Sequence, residues 1–311
     1  MHTQPLTSET ICRSVWAVPP LCRQADGSLD ADSNRTLVRH IEAGGLTTLL
    51  YGGNAVFYHL TLDEFERAIA LITEIAGEDS IVVPAIGPTF GLLRDHADRL
   101  RGTDFPTAMV LPQRDIVTSE GIARGVRQAS DRMGKPVVLY MKHPGTLTTS
   151  HVRAMVDDGT VCAIKYAVTL DDPLDDPELT ALCDAVDPQM ILSGSGEQFA
   201  APHREAFGVG NFTTGCGCLF PKVSVALKRR WDAGDFGDSS HALKETLLPL
   251  ESLRDNWGPI AVLHRAVEHG LTPTGPLLPL LSEPDAGLDA KIAASLDQVR
   301  ANAADFADEL G

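Results

Sequence analysis

The sequence predicts an α/β protein: a closed (β/α)8 barrel of the TIM type over residues 1–232, followed by a C-terminal helical extension over residues 233–311. Three observations predict it. Short runs rich in Val, Ile and Leu alternate with amphipathic stretches of helical length through most of the chain. About eight such runs occur, each followed by a helix candidate, which is what an eight-stranded parallel barrel requires. After Trp231 the strand candidates stop, and residues 235–270 and 288–310 read as helices separated by a Pro-rich stretch at 272–284. A doubly wound open sheet shows the same alternation, and periodicity alone does not separate the two.

The candidate strands are 15–18, 47–51, 81–86, 107–111, 136–140, 161–165, 190–194 and 210–213. The second runs into Gly52-Gly53-Asn54. Thr61-Leu62-Asp63-Glu64 then places a Thr cap three residues before a Glu, a capping-box pattern, with Phe65, Ala68, Ile69 and Ile72 following on one helical face. After the fourth strand, residues 115–132 read as a helix with a basic last turn. Gly134 stops it, and Lys135-Pro136 opens the fifth strand.

The chain has 311 residues, 43% hydrophobic and 22% charged, which are the proportions of a soluble globular protein large enough for a substantial core. With 26 basic and 42 acidic residues its formal net charge is −16. That balance argues against nucleic acid and anionic membranes as partners, while leaving room for a local basic pocket that takes a small anionic substrate. No stretch reads as a signal peptide or a membrane span, so a cytoplasmic location is expected. Six scattered cysteines are read as reduced. Cys216-Gly217-Cys218 lacks the second pair that a structural zinc site needs, and reads as small residues opening a helix. No metal and no cofactor is expected.

In a parallel barrel the groups that do chemistry sit where the strands end. Lys165 closes the run Val161-Cys162-Ala163-Ile164-Lys165, where burial would disfavour the ammonium and free the amine for attack on a carbonyl. Tyr140 closes the preceding strand. If both tips point inward from adjacent strands roughly 5 Å apart, the phenol comes within hydrogen-bond reach of the amine or its adduct. On these residues alone a solvated Lys and Tyr at two strand ends remains the competing reading. Gly194-Ser195-Gly196-Glu197 also has the look of a phosphate loop opening onto a helix.

Four segments in order resemble the dihydrodipicolinate synthase and N-acetylneuraminate lyase family, (β/α)8 enzymes of the class I aldolase type. Gly52-Gly53-Asn54 through Leu60-Thr61 stands where that family has Gly-Thr-Thr-Gly-Glu, an apolar pair and Leu-Thr. Leu139-Tyr140 with Pro144 resembles its Leu-Tyr-Asn-x-Pro. Ala163-Ile164-Lys165-Tyr166-Ala167 resembles its Gly-Ile-Lys-Asp/Glu-Ala, and Leu192-Ser193-Gly194-Ser195-Gly196 its Ser-Gly-Asp-Asp turn. The resemblance implies a lyase that binds pyruvate or a related 2-oxo acid as an imine on Lys165, with Tyr140 relaying protons. It implies that Gly52, Gly53 and Asn54 hold the substrate carboxylate, and that Gly194 and Ser195 line the site with backbone groups rather than bind phosphate. It also implies a homodimer or homotetramer.

The departures are as specific. Gly53 and Asn54 replace paired threonines, and Pro112-Gln113-Arg114 replaces a Pro-Tyr-Tyr, so hydroxyls of the family's proton relay are missing. The arginine that true dihydrodipicolinate synthases carry after the Tyr-Asn-x-Pro motif is absent, with Lys142-His143-Pro144-Gly145-Thr146 in its place. A dihydrodipicolinate synthase is therefore not expected. Arg114 is a candidate for a different substrate carboxylate or a solvated loop residue, and His143 a candidate acid or base or an inert loop histidine. The alternative to an enzyme is a repurposed relative that binds a 2-oxo acid without turnover.

Overall fold

Eight parallel strands close in chain order into a barrel in the computed structural model, which describes residues 1–311. They are β1 (Trp16–Ala17), β2 (Thr48–Tyr51), β3 (Ile81–Ile86), β4 (Met109–Val110), β5 (Val137–Met141), β6 (Val161–Tyr166), β7 (Ile191–Ser193) and β8 (Asn211–Thr214). The pairing of Trp16 with Thr213 and of Ala17 with Thr214 joins β8 to β1, which settles the choice between a closed barrel and an open sheet. All eight expected strands are present. Their residues are buried almost throughout, as expected for parallel strands covered on both faces, and this is why they read as continuous apolar runs.

The helices are α1 (Ser8–Cys12), α2 (Ala31–Ala43), α3 (Leu62–Ile75), α4 (Phe90–Leu100), α5 (Ser119–Met133), α6 (Thr149–Asp157), α7 (Pro177–Ala185), α8 (Glu197–Phe207) and α9 (Pro221–Asp232). Behind them come α10 (Asp238–Glu245), α11 (Leu248–Trp257), α12 (Pro259–Gly270), α13 (Ala286–Ala304) and α14 (Ala307–Leu310). The expected capping box is formed: the Thr61 side chain accepts from Glu64 N–H, and the Glu64 carboxylate accepts from Thr61 N–H. Gly134 ends α5 with φ 73°, a left-handed conformation in which glycine carries no Cβ penalty.

The helix expected from residue 115 begins later. Thr118 caps α5 by accepting from Gly121 N–H, because Ile116 adopts φ 60° and cannot continue a right-handed turn. The stretch 235–270 divides into three helices, broken at residues 246–247 and at Gly258, whose φ is 115°. Cys216–Cys218 forms a short 3-10 turn ahead of α9.

A single hydrophobic cluster runs from the barrel into α10–α13, taking in Leu243, Leu250, Val262, Ile292 and Val299. Polar ties support it. The Trp231 indole donates to Ser240 Oγ at 3.0 Å, and His264 Nε2 on α12 lies 3.1 Å from the Asn54 carbonyl at the end of β2. The later helices therefore reach the rim where the strands end. No helix is long and apolar enough to cross a membrane.

Candidate active site

Tyr140 on β5 and Lys165 on β6 are register partners, so both side chains leave the sheet on the same side at the same height. Lys165 is 7% exposed. Its Nζ lies 4.6 Å from the centroid of the Tyr140 ring, over the face. Here the structure departs from the expected hydrogen bond: the amine rests on the π-face and the phenol oxygen bonds to nothing in the chain. Level register puts the aliphatic stem of the lysine beside the ring, so its amine meets the ring before it can reach the hydroxyl.

Burial pulls the Lys165 amine down from 10.5 to about 7, with the nearby charges of Lys142 and Arg254 adding to the effect. Burial has the opposite effect on the Tyr140 phenol, which is pushed up and keeps its proton at neutral pH. A basic amine thus stands beside a neutral acid. Gly194 makes room for the pair: a Cβ there would lie 2.6 Å from Ala167 Cβ, 2.9 Å from the Tyr166 carbonyl and 3.0 Å from Lys165 Cε.

Across the barrel, β2 ends in the segment Gly52–Ala55. Gly52 packs its bare Cα on Met109, where a Cβ would meet the methionine Cε at 2.7 Å, whereas Gly53 faces open space. The backbone N–H groups of Gly53, Asn54 and Ala55 donate to no other group of the chain, whereas those of Val56 and Phe57 turn back to the Gly53 and Gly52 carbonyls. Val56 holds the turn with φ 55°, a conformation rare for a β-branched residue. Three unspent N–H groups in succession suit an anion. The Asn54 side chain is otherwise engaged, its amide donating to the Val18 carbonyl at 2.9 Å, so it braces the segment against β1.

Ser195 sits half-buried in the turn after β7, its hydroxyl bonded to nothing in the chain. Arg114 does not join this group. It lies exposed and lines an open depression with His143 and Ser119. Tyr140 also borders a cavity of about 1110 Å³ walled by the loops after β3, β4 and β5 and by α5. Lys165 is not among its walls. The candidate site is therefore centred on the amine, the unspent N–H groups and the glycines, and the large cavity meets it at Tyr140.

Sequence reasoning missed three groups at the ends of β7 and β8. Glu197 opens α8 fully buried, accepting from Ser224 Oγ at 2.5 Å. Glu251 on α11, 4% exposed, accepts from Glu197 N–H, and burial together with the Glu197 charge pushes its carboxyl well above the usual range. Arg254, one helical turn further along α11, lies over Gly215. No local motif announces them, because two of the three come from a helix remote in sequence.

No family model matches the chain. Among curated proteins it is 24% identical over 302 residues to a probable 5-dehydro-4-deoxyglucarate dehydratase 2 of Streptomyces coelicolor, covering 94% of this chain and 92% of that protein. It is 27% identical over 201 residues to a 4-hydroxy-tetrahydrodipicolinate synthase of Acidiphilium cryptum, covering 61% of this chain and 65% of that one. Among solved structures, a dihydrodipicolinate synthase from Bacillus clausii superimposes with a TM-score of 0.84 at 20% identity, over 94% of this chain and all (100%) of that one. YagE from E. coli K12, a prophage protein of the dihydrodipicolinic acid synthase family in complex with pyruvate, gives 0.76 at 21% identity over 92% of this chain and 98% of its own.

Proposed function

We infer that this chain, a divergent relative of the dihydrodipicolinate synthase family, is a lyase that forms an imine between Lys165 and a 2-oxo acid and uses it to eliminate water. The observation that carries the reading is the Lys165 amine, buried and lowered to about 7 beside a Tyr140 phenol that keeps its proton. The relative matched over nearly the whole chain is named a dehydratase, which favours dehydration over condensation.

The neutral amine adds to the ketone carbon, and Tyr140 donates a proton to the departing hydroxyl to give the imine and water. The N–H groups of Gly53, Asn54 and Ala55 receive the adjacent carboxylate. The protonated imine draws electrons, so the neighbouring carbon loses a proton and an enamine forms. Tyr140, left as the phenolate by the first step, takes that proton and returns it to the hydroxyl of the next carbon, which the enamine expels as water, leaving an unsaturated imine that a second water hydrolyses from Lys165. Gly194 and Ser195 keep the path to the amine open.

Incubation with pyruvate and with hydroxylated 2-oxo acids, followed by borohydride reduction, tests the reading. A mass adduct on the peptide containing Lys165, and loss of water from a hydroxylated substrate, are expected. Saturable binding with neither adduct nor product would instead mark a binding protein without turnover. A homodimer or homotetramer in the cytoplasm belongs to the same reading, and light scattering tests the assembly.

A further inference from the structure

Two segments remote in sequence hold the Asn54–Ala55 peptide. The Asn54 side-chain amide donates to the Val18 carbonyl at 2.9 Å, and the Asn54 main-chain carbonyl meets His264 Nε2 at 3.1 Å. His264 comes from α12, where Val262, Leu263, Ala266 and Val267 are buried in the core and His264 itself is 3% exposed. The chain beyond α12 turns back to fix that point: Thr274 Oγ1 donates to the His264 carbonyl at 3.3 Å, and Arg23 N–H donates to the Thr274 carbonyl at 2.9 Å. The imidazole is therefore held in place before any ligand arrives.

A carbonyl only accepts, so Nε2 carries the proton. Burial pulls the ring down from 6.5 to about 4 against the opposing effect of the Asn54 carbonyl, with Arg23 adding to the fall and Glu268 resisting it. The imidazole is neutral at pH 7, and its Nδ1 is bare. That Nδ1 is buried with no partner in the chain. An apolar side chain would fill the space without leaving such an atom unmet, so the Nε2 donor is what singles out histidine here.

The Asn54 carbonyl and the Ala55 N–H belong to one peptide group, so a donor on the oxygen draws electrons from the nitrogen and makes its N–H a stronger donor. The Ala55 N–H is one of the three that donate to no other group of the chain. We propose that His264 is a positioning residue for the substrate carboxylate: its Nε2–H orients and polarises the Asn54–Ala55 peptide so that the Ala55 N–H meets that carboxylate. The proposal rests on the reading of Gly53–Ala55 as the carboxylate seat and not on the imine at Lys165.

Oxamate, a pyruvate isostere with an amide in place of the ketone, carries the carboxylate and forms no imine. Its binding is measured by titration calorimetry in the wild type, H264M and H264Q, each checked for folding by circular dichroism. Methionine fills the space without a donor, whereas the glutamine amide places an N–H close to where Nε2 stands. H264M should raise the oxamate dissociation constant about three- to tenfold, and H264Q should bring it back to within about twofold of wild type. In pyruvate trapping the half-saturating concentration should follow the same order, while the rate at saturation changes by less than about twofold. Oxamate should also move the His264 Nε2 proton resonance of the wild type, the one missing from H264Q, downfield in the NMR spectrum. Should H264M fail to fold, that shift decides alone. Unchanged affinity in H264M, equal weakening in both variants, a resonance that ignores oxamate, or a wild type that binds no oxamate overturns the proposal. Oxamate binding that depends on His264, together with no trapping of pyruvate, would sink the Lys165 imine and leave His264 in its role.

Discussion

The Lys165 amine rests on the face of the Tyr140 ring, 4.6 Å from its centroid, and not on its hydroxyl. The ring therefore positions the lysine, and under the imine reading the hydroxyl handles protons, so the two roles can be separated by substitution. An aromatic face attracts the ammonium form, so it partly offsets the desolvation that lowers the amine.

Y140F keeps the ring and removes only the hydroxyl. Turnover should fall by about 10²–10⁴, the usual worth of one placed general acid, while pyruvate trapping on Lys165 persists. Y140A should lose both, and K165A should lose all turnover. Trapping by Y140F as poor as that by K165A would contradict the division.

The rate of imine formation should rise with pH and level off above about 7, as the Lys165 amine loses its proton. Stability follows the same group. Its pKa is lowered from 10.5 to about 7 on folding, so between those values the unfolded chain binds more protons. Folding stability from this residue therefore rises with pH across that window, its cost being full below 7 and gone above 10.5. K165M should stabilise the fold most below pH 7, by an amount on the order of a few kcal/mol, and hardly at all near pH 10.5. Melting curves of both proteins from pH 6 to 10.5 measure it.

Gly194→Ala and Gly53→Ala make a matched pair. The first places a methyl within 3.0 Å of Ala167, Tyr166 and Lys165, and should cost about 1–3 kcal/mol and displace the amine. The second places it in open space, so Tm should stay nearly unchanged while the half-saturating concentration of substrate rises. Denaturant titration beside trapping curves separates the two, and a large Tm loss in G53A would contradict the assignment.

The Tyr166 hydroxyl donates to Asp176, with Oδ1 at 2.9 Å and Oδ2 at 2.7 Å, and Asp176 in turn caps α7 by accepting from Leu179 N–H. Y166F leaves a carboxylate that is 3% exposed without that donor. A loss of about 1–3 kcal/mol is expected in a urea melt, along with lowered turnover because Tyr166 adjoins Lys165 in the chain.

Much of this was legible in the chain. Eight apolar runs specified the barrel because parallel strands buried on both faces must be apolar at nearly every position. The placement of Lys165 and Tyr140 on neighbouring strand ends was legible because a strand end is a local feature and their motifs are local too. The part that was hidden depends on distance along the chain. Glu251, Arg254 and His264 look like ordinary helix residues until packing brings α11 and α12 to the barrel rim. Asn54 was read as a free amide, and only the fold shows the Val18 carbonyl that occupies it. Arg114 could be placed after β4, but not outside the amine's surroundings, because the left-handed turn at Ile116 has no signature in the residue itself.

The link between His264 and the Asn54 carbonyl also bears on the order of synthesis. The last barrel strand ends at Thr214, and α11 and α12 leave the ribosome after it. A nascent chain can therefore close its sheet while Lys165 still lacks the nearby Arg254 that helps lower its amine. Docking of α11 therefore completes the surroundings that lower the lysine amine, after burial in the barrel and the charge of Lys142 have supplied the larger part.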